Sequence, residues 1–82
     1  MDAKQAAKIA LNYFKELFGG YDYTDIRLEE VEKEGDSWNI TLGFLDRNQE
    51  GFSLGLRSRA YKSFKVDSTS GEVTSVKIRT IQ

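Results

Sequence analysis

Trp38-Asn39-Ile40-Thr41-Leu42-Gly43-Phe44 is the stretch whose reading decides the fold. Its apolar residues recur with period two: Trp38, Ile40, Leu42 and Phe44 take one side of a strand, Asn39, Thr41 and Gly43 the other. A strand with one apolar side needs neighbours in a sheet and a cover for that side. Upstream, Glu34-Gly35-Asp36-Ser37 reads as a turn, preceded by a strand in which Ile26 and Leu28 alternate with polar residues. Glu29-Glu30-Val31 breaks that alternation, as a bulge or a fraying end does. Downstream, Asp46 to Gly51 is a polar loop, and Phe52, Leu54 and Leu56 either begin a third strand or cover an open end of the core. Ala60 to Val66 is strand-like, Asp67-Ser68-Thr69-Ser70-Gly71-Glu72 is a hairpin turn with glycine in the left-handed position, and Val73 to Ile81 is the last strand.

The cover lies at the N-terminus. Asp2 followed by Gln5 has the form of a capping box. Ala3, Ala6, Ala7, Ala10, Tyr13, Phe14, Leu17 and Phe18 then recur at helical spacing, with Lys4, Lys8, Asn12, Lys15 and Glu16 opposite. Gly19-Gly20 offers a residue free to take a positive φ and end the helix. The alanines let the helix approach a sheet closely, and the aromatics fill its far end. The expected fold is α+β: one domain over residues 1–82, an N-terminal helix on one face of a four-stranded antiparallel meander, α-β-β-β-β. Phe14, Leu17, Trp38, Ile40, Leu42, Phe64 and Val76 are expected to bury together.

Composition narrows the chemistry. The 82 residues include no cysteine, histidine or proline, so disulfides, Cys/His zinc sites and X-Pro isomerisation are excluded for this stretch. Stability must come from apolar packing, for which 39% hydrophobic residues and ten aromatics are available. No segment is long and apolar enough to span a bilayer, and the first residues lack the apolar core of a signal peptide, so the cytoplasm is the expected location. A net charge of -1 supplies no global attraction to nucleic acid or anionic lipid.

Without histidine or cysteine the usual general base and nucleophiles are missing. No Gly-rich phosphate loop is present, and the carboxylate pairs Asp22/Asp25 and Glu29/Glu30 fall where a solvated surface is expected. The reading is of a non-enzyme with no catalytic residue and no cofactor. Asp46-Arg47-Asn48-Gln49-Glu50-Gly51 matches the first half of an EF-hand loop, but Arg57 stands where the bidentate glutamate belongs and the flanks read as strands. No metal is expected there.

Charge is unevenly laid out. Tyr21 to Glu50 carries nine acidic residues against Arg27, Lys33 and Arg47, whereas Arg57, Arg59, Lys62, Lys65, Lys77 and Arg79 follow with only Asp67 and Glu72. A meander turns this into an acidic and a basic edge. If Phe64 and Val66 face the helix, alternation sends Arg59, Tyr61 and Lys65 to the open face, joined by Lys77 and Arg79, while Val76 and Ile78 point inward. Lys62 then falls on the inward side, which calls for a bulge or a snorkelling side chain. Arg59, Tyr61, Lys65, Lys77 and Arg79 are therefore the candidate partner-binding residues.

Arg59-Ala60-Tyr61-Lys62-Ser63-Phe64-Lys65-Val66-Asp67 followed by Ser70-Gly71-Glu72-Val73 resembles the final hairpin of PepSY-type domains, in which a strand ending in aspartate meets a (Thr/Ser)-Gly-Glu-Val turn. Helix first, then the tryptophan-bearing strand Trp38-Asn39-Ile40-Thr41-Leu42 and this hairpin, also resembles the gas-vesicle accessory protein O family. The resemblance implies a cystatin-like α+β layout and an inhibitory or protein-binding module, and it brings no catalytic residue. The resulting expectation is a small regulatory module meeting a protein through its sheet surface or an edge strand, as a monomer or weak homodimer away from membranes. A single-stranded nucleic-acid binder using the basic face and a gas-vesicle-type accessory protein are the alternatives.

Overall fold

The computed structural model describes residues 1–48 and 59–79. Helix α1 (Ala3–Phe18) is followed by β1 (Tyr23–Glu34), β2 (Ser37–Asp46), β3 (Arg59–Asp67) and β4 (Val73–Ile78). The strands lie in the order β1-β2-β3-β4, each antiparallel to the next. The expected α+β arrangement is therefore the observed one. Phe52, Leu54, Leu56, the second half of the Asp46–Gly51 loop and the end of the expected last strand lie outside the described residues. No helix among the described residues is long and apolar enough to cross a membrane.

The capping box forms as its spacing dictates. Gln5 N–H donates to Asp2 Oδ1 at 2.8 Å, and Asp2 N–H donates to Gln5 Oε1 at 2.8 Å. Ala6, Ala10 and Phe14 form the buried stripe of α1. Two methyl-sized side chains in that stripe bring the helix backbone down onto the sheet, and Phe14 then fills the space that opens beyond them. Its ring centroid lies 5.2 Å from Phe44, 5.3 Å from Phe18, 5.8 Å from Tyr23 and 6.2 Å from Phe64. Leu17 departs from the expectation: it is 50% exposed. A step of three residues turns it roughly 60° off the Phe14 stripe, while the step of four to Phe18 keeps that ring on the aromatic cluster. The helix end differs too. Gly19 has φ -64 and ψ -22, and among the described glycines only Gly35 and Gly71 take positive φ. Glycine is favoured at 19 by proximity: a Cβ there would stand 2.6 Å from the Lys15 carbonyl oxygen.

On the sheet side, Ile40, Leu42, Phe44, Phe64 and Val66 complete the core. Trp38 and Val76 pack against it only half-buried, and the Trp38 ring is roofed by Lys33 Nζ at 5.1 Å. Burial beside Phe14 and Phe44, with Asp46 and Tyr21 adding like charge, pushes the Tyr23 phenol above its ordinary value. Lys62 does point inward, opposite Leu42, with no interruption of the β2–β3 register. It snorkels instead of bulging, its ammonium 4.7 Å from the Phe18 ring centroid and 5.9 Å from that of Phe44.

Strand β1 carries the bulge anticipated at Glu29-Glu30-Val31, between Leu28 and Glu30, and a second one between Thr24 and Arg27. In the second, Asp25 takes φ 51, the left-handed region that aspartate tolerates better than most residues. The β3–β4 turn is tied by Asp67, whose Oδ1 accepts from the Thr69 and Ser70 amides at 2.9 Å each, while Gly71 takes φ 76. Those amides, with the Ser70 hydroxyl, hold the Asp67 carboxyl below its ordinary pKa.

Candidate functional site

The helix covers one face of the sheet, so the exposed chemistry of β2, β3 and β4 collects on the other. Register fixes its membership. Asn39 pairs with Lys65, Thr41 with Ser63, Gly43 with Tyr61 and Leu45 with Arg59 across β2–β3. Lys65 pairs with Ser75 and Ser63 with Lys77 across β3–β4. Arg79 continues this row, its amide donating to the Tyr61 carbonyl at 2.9 Å. Arg59, Tyr61, Lys65, Lys77 and Arg79 therefore do share the open face.

They do not share one electrostatic state. Glu29, Glu30 and Glu32 come from β1 to the same face, since Glu30 and Glu32 lie opposite Thr41 and Asn39 and Glu29 reaches over Gly43. The small residues Thr41 and Gly43 let side chains from β1 and from β3–β4 meet above β2. A Cβ on Gly43 would stand 2.7 Å from Glu29 Oε1 and 3.0 Å from Tyr61 Cε1, so its hydrogen is the space those groups occupy. Arg59, only 19% exposed, places Nη1 3.0 Å from Asp25 Oδ2, donates from Nη2 to the Asp25 carbonyl at 2.8 Å, and holds Nε 3.6 Å from Glu29 Oε1. Arg79 pairs with Glu30 and donates to Thr41 Oγ1 at 2.7 Å.

The expected five-residue basic strip thus divides. Arg59 and Arg79 are clamps that join distant strands and are neutralised within the chain. Lys65 and Lys77 are exposed, and among the described residues neither has a carboxylate within ion-pair distance. They stand at opposite corners of a rectangle whose other corners are Ser63 and Ser75, beside a shallow hollow of about 290 Å³ bounded by Asn39, Arg79 and Glu32. Two ammonium groups and two hydroxyls around one depression can hold a carboxylate or another oxyanion. Tyr61 lies half-buried against Gly43 with Glu29 beside it, so its ring is part of the clamp region. In the Asp46 loop, Asp46 Oδ1 accepts from the Asn48 amide at 3.0 Å and the Arg47 amide donates to the Asp22 carbonyl at 2.9 Å.

Sequence reasoning found the face but missed the carboxylates that share it. The signal was available: a bulge at Glu29-Glu30 sends consecutive glutamates to the same side. No protein-family model matches the chain, and neither a curated protein nor a solved structure is significantly similar to it.

Proposed function

We propose that this chain is a non-enzymatic binding module that recruits an acidic segment of a partner protein to the β3–β4 half of its open face. The observation that carries this reading is the pair of uncompensated lysines, Lys65 and Lys77, flanked by Ser63 and Ser75, on a face whose arginines are already neutralised. Charge complementarity of this kind selects partners and speeds encounter more than it adds affinity. The resemblance of the final hairpin to PepSY-type domains agrees with a helix-on-sheet binding role.

A single-stranded nucleic acid fits the face less well. Tyr61 is the one aromatic among the five candidate residues and lies half-buried against Gly43, where stacking platforms expose several aromatics. The test compares Lys65→Glu/Lys77→Glu with the wild-type chain. The double variant should melt like wild type and lose a partner that wild type captures, and a synthetic peptide of that partner's acidic segment should bind wild type more weakly as salt rises. Oligonucleotide binding tighter than roughly 10⁻⁵ M at physiological salt, beyond the ordinary non-specific range, would favour nucleic acid instead.

A further inference from the structure

The two edges of the sheet are complementary to each other. Among the described residues neither β1 nor β4 has a strand on its outer side. On the open face, the regular part of β1 presents Glu30, Glu32 and Glu34, and β4 with the residue after it presents Ser75, Lys77 and Arg79. Glu30 and Arg79 already pair with each other, which leaves Glu32 and Glu34 of one edge and Lys77 of the other without an ion pair among the described residues. On the helix face each edge leaves an apolar side chain uncovered: Leu28 of β1 is 52% exposed and Ile78 of β4 is 82% exposed. Leu28 and Ile26 border an open groove of about 200 Å³ between α1 and β1.

We propose that the chain associates head to tail with a second copy of itself, β4 of one copy adding to β1 of the next and continuing the sheet. Direction and pleat both permit it. Four alternating strands leave β4 running opposite to β1, so a second copy set beside the first without inversion presents β4 antiparallel to β1, with both helices on the same face. The Arg79 amide is turned toward β3, and alternation then turns the outer backbone groups of Val76 and Ile78 away from the sheet, ready to pair. The register that sets Lys77 opposite Glu32 places it between Glu30 and Glu34 on one face, and brings Ile78 opposite Val31, toward Leu28, on the other. The bulges limit the regular stretch of β1 to Glu30–Glu34, and the register shift between Val73 and Ser75 limits that of β4 to Ser75–Ile78, a comparable length.

The two-fold alternatives lack this match. Pairing β4 with β4 sets Lys77 and Arg79 near their own copies, and pairing β1 with β1 does the same to the glutamates. A head-to-tail contact leaves one edge of each kind free after every addition, so it builds open chains or closes into a ring. The contact draws on Lys77 as well as on the edge strands, and its test alters neither Lys65 nor Lys77, so its outcome is read apart from that of the partner reading.

Sedimentation of the purified chain decides it. The average mass of wild type should rise across roughly 10 μM to 1 mM, the range for a small transient contact, and fall again in high salt. Glu32→Lys blocks the acidic edge and Ile78→Lys the other; both positions are exposed, and Ile78→Ser serves if the lysine perturbs folding. Each variant alone should be monomeric with a wild-type melt. Mixed in equal amounts they should form a heterodimer that grows no further, because each retains the edge that the other has lost. Wild type remaining monomeric at 1 mM overturns the proposal. So does a single variant that assembles like wild type, or a mixture no heavier than its parts.

Discussion

Phe14 is the residue on which the two layers turn, since it touches the rings of Phe18, Tyr23, Phe44 and Phe64 at once. Phe14→Ala should cost about 3–5 kcal/mol, enough to unfold a domain of this size, as thermal or urea melts will show. Trp38→Ala should cost less, because Trp38 is half-buried and one side of its ring is covered by a lysine. A larger loss at Trp38 than at Phe14 would place the centre of the core at the wrong end of β2. The open face calls for a second comparison. Arg59 makes charged hydrogen bonds to both the side chain and the carbonyl of Asp25, so Arg59→Met should cost about 1–3 kcal/mol. Lys65→Glu and Lys77→Glu should each stay within about 0.5 kcal/mol.

At the scale of single elements, stability is set by how each end is closed. The capping box of α1 satisfies the Gln5 and Asp2 amides together, and Asp2→Ala should cost about 0.5–2 kcal/mol in the same melts. The β3–β4 turn is closed by a carboxylate, which makes it acid-sensitive. Because amide donors lower the Asp67 pKa in the folded chain, its contribution is present above the unfolded value of about 3.9 and is lost as the pH falls through the lower folded value. The Thr69 and Ser70 amide resonances should therefore move together below about pH 4, and Asp67→Ala should abolish that transition. Helix propensity and cap were plain in the sequence. The helix stop was not, because a pair of glycines invites a left-handed residue, whereas here glycine 19 answers a close approach to the Lys15 carbonyl.

For the molecule as a whole, charge is distributed by strand, and the sheet then folds one strand's charges over another's. Asp25, Glu29 and Glu30 from the first edge strand neutralise Arg59 and Arg79 from the other half of the sheet. Stability should accordingly depend on salt through the half-buried Arg59 pairs less than partner binding at Lys65 and Lys77 does, since exposed charges are screened more completely. Paired melts and binding titrations at low and high salt give the comparison directly.

The amino-acid sequence established the element order, the helix cover, the strand that centres the sheet and the inward lysine, and it narrowed the break in β1 to a bulge or a fraying end. Each follows from local spacing: period two, period near four, a cap three residues from its partner, or a broken alternation. It also determined which side of β3 and β4 carries Arg59, Tyr61, Lys65, Lys77 and Arg79, because a two-residue period is enough to assign a face. Which of those five still carries an uncompensated charge emerges only once the chain is folded. That depends on Asp25, Glu29 and Glu30, which stand far from the arginines along the chain and are brought over β2 by its small residues Thr41 and Gly43. Pairing at that range is set by sheet register and bulge geometry, and no local period encodes it.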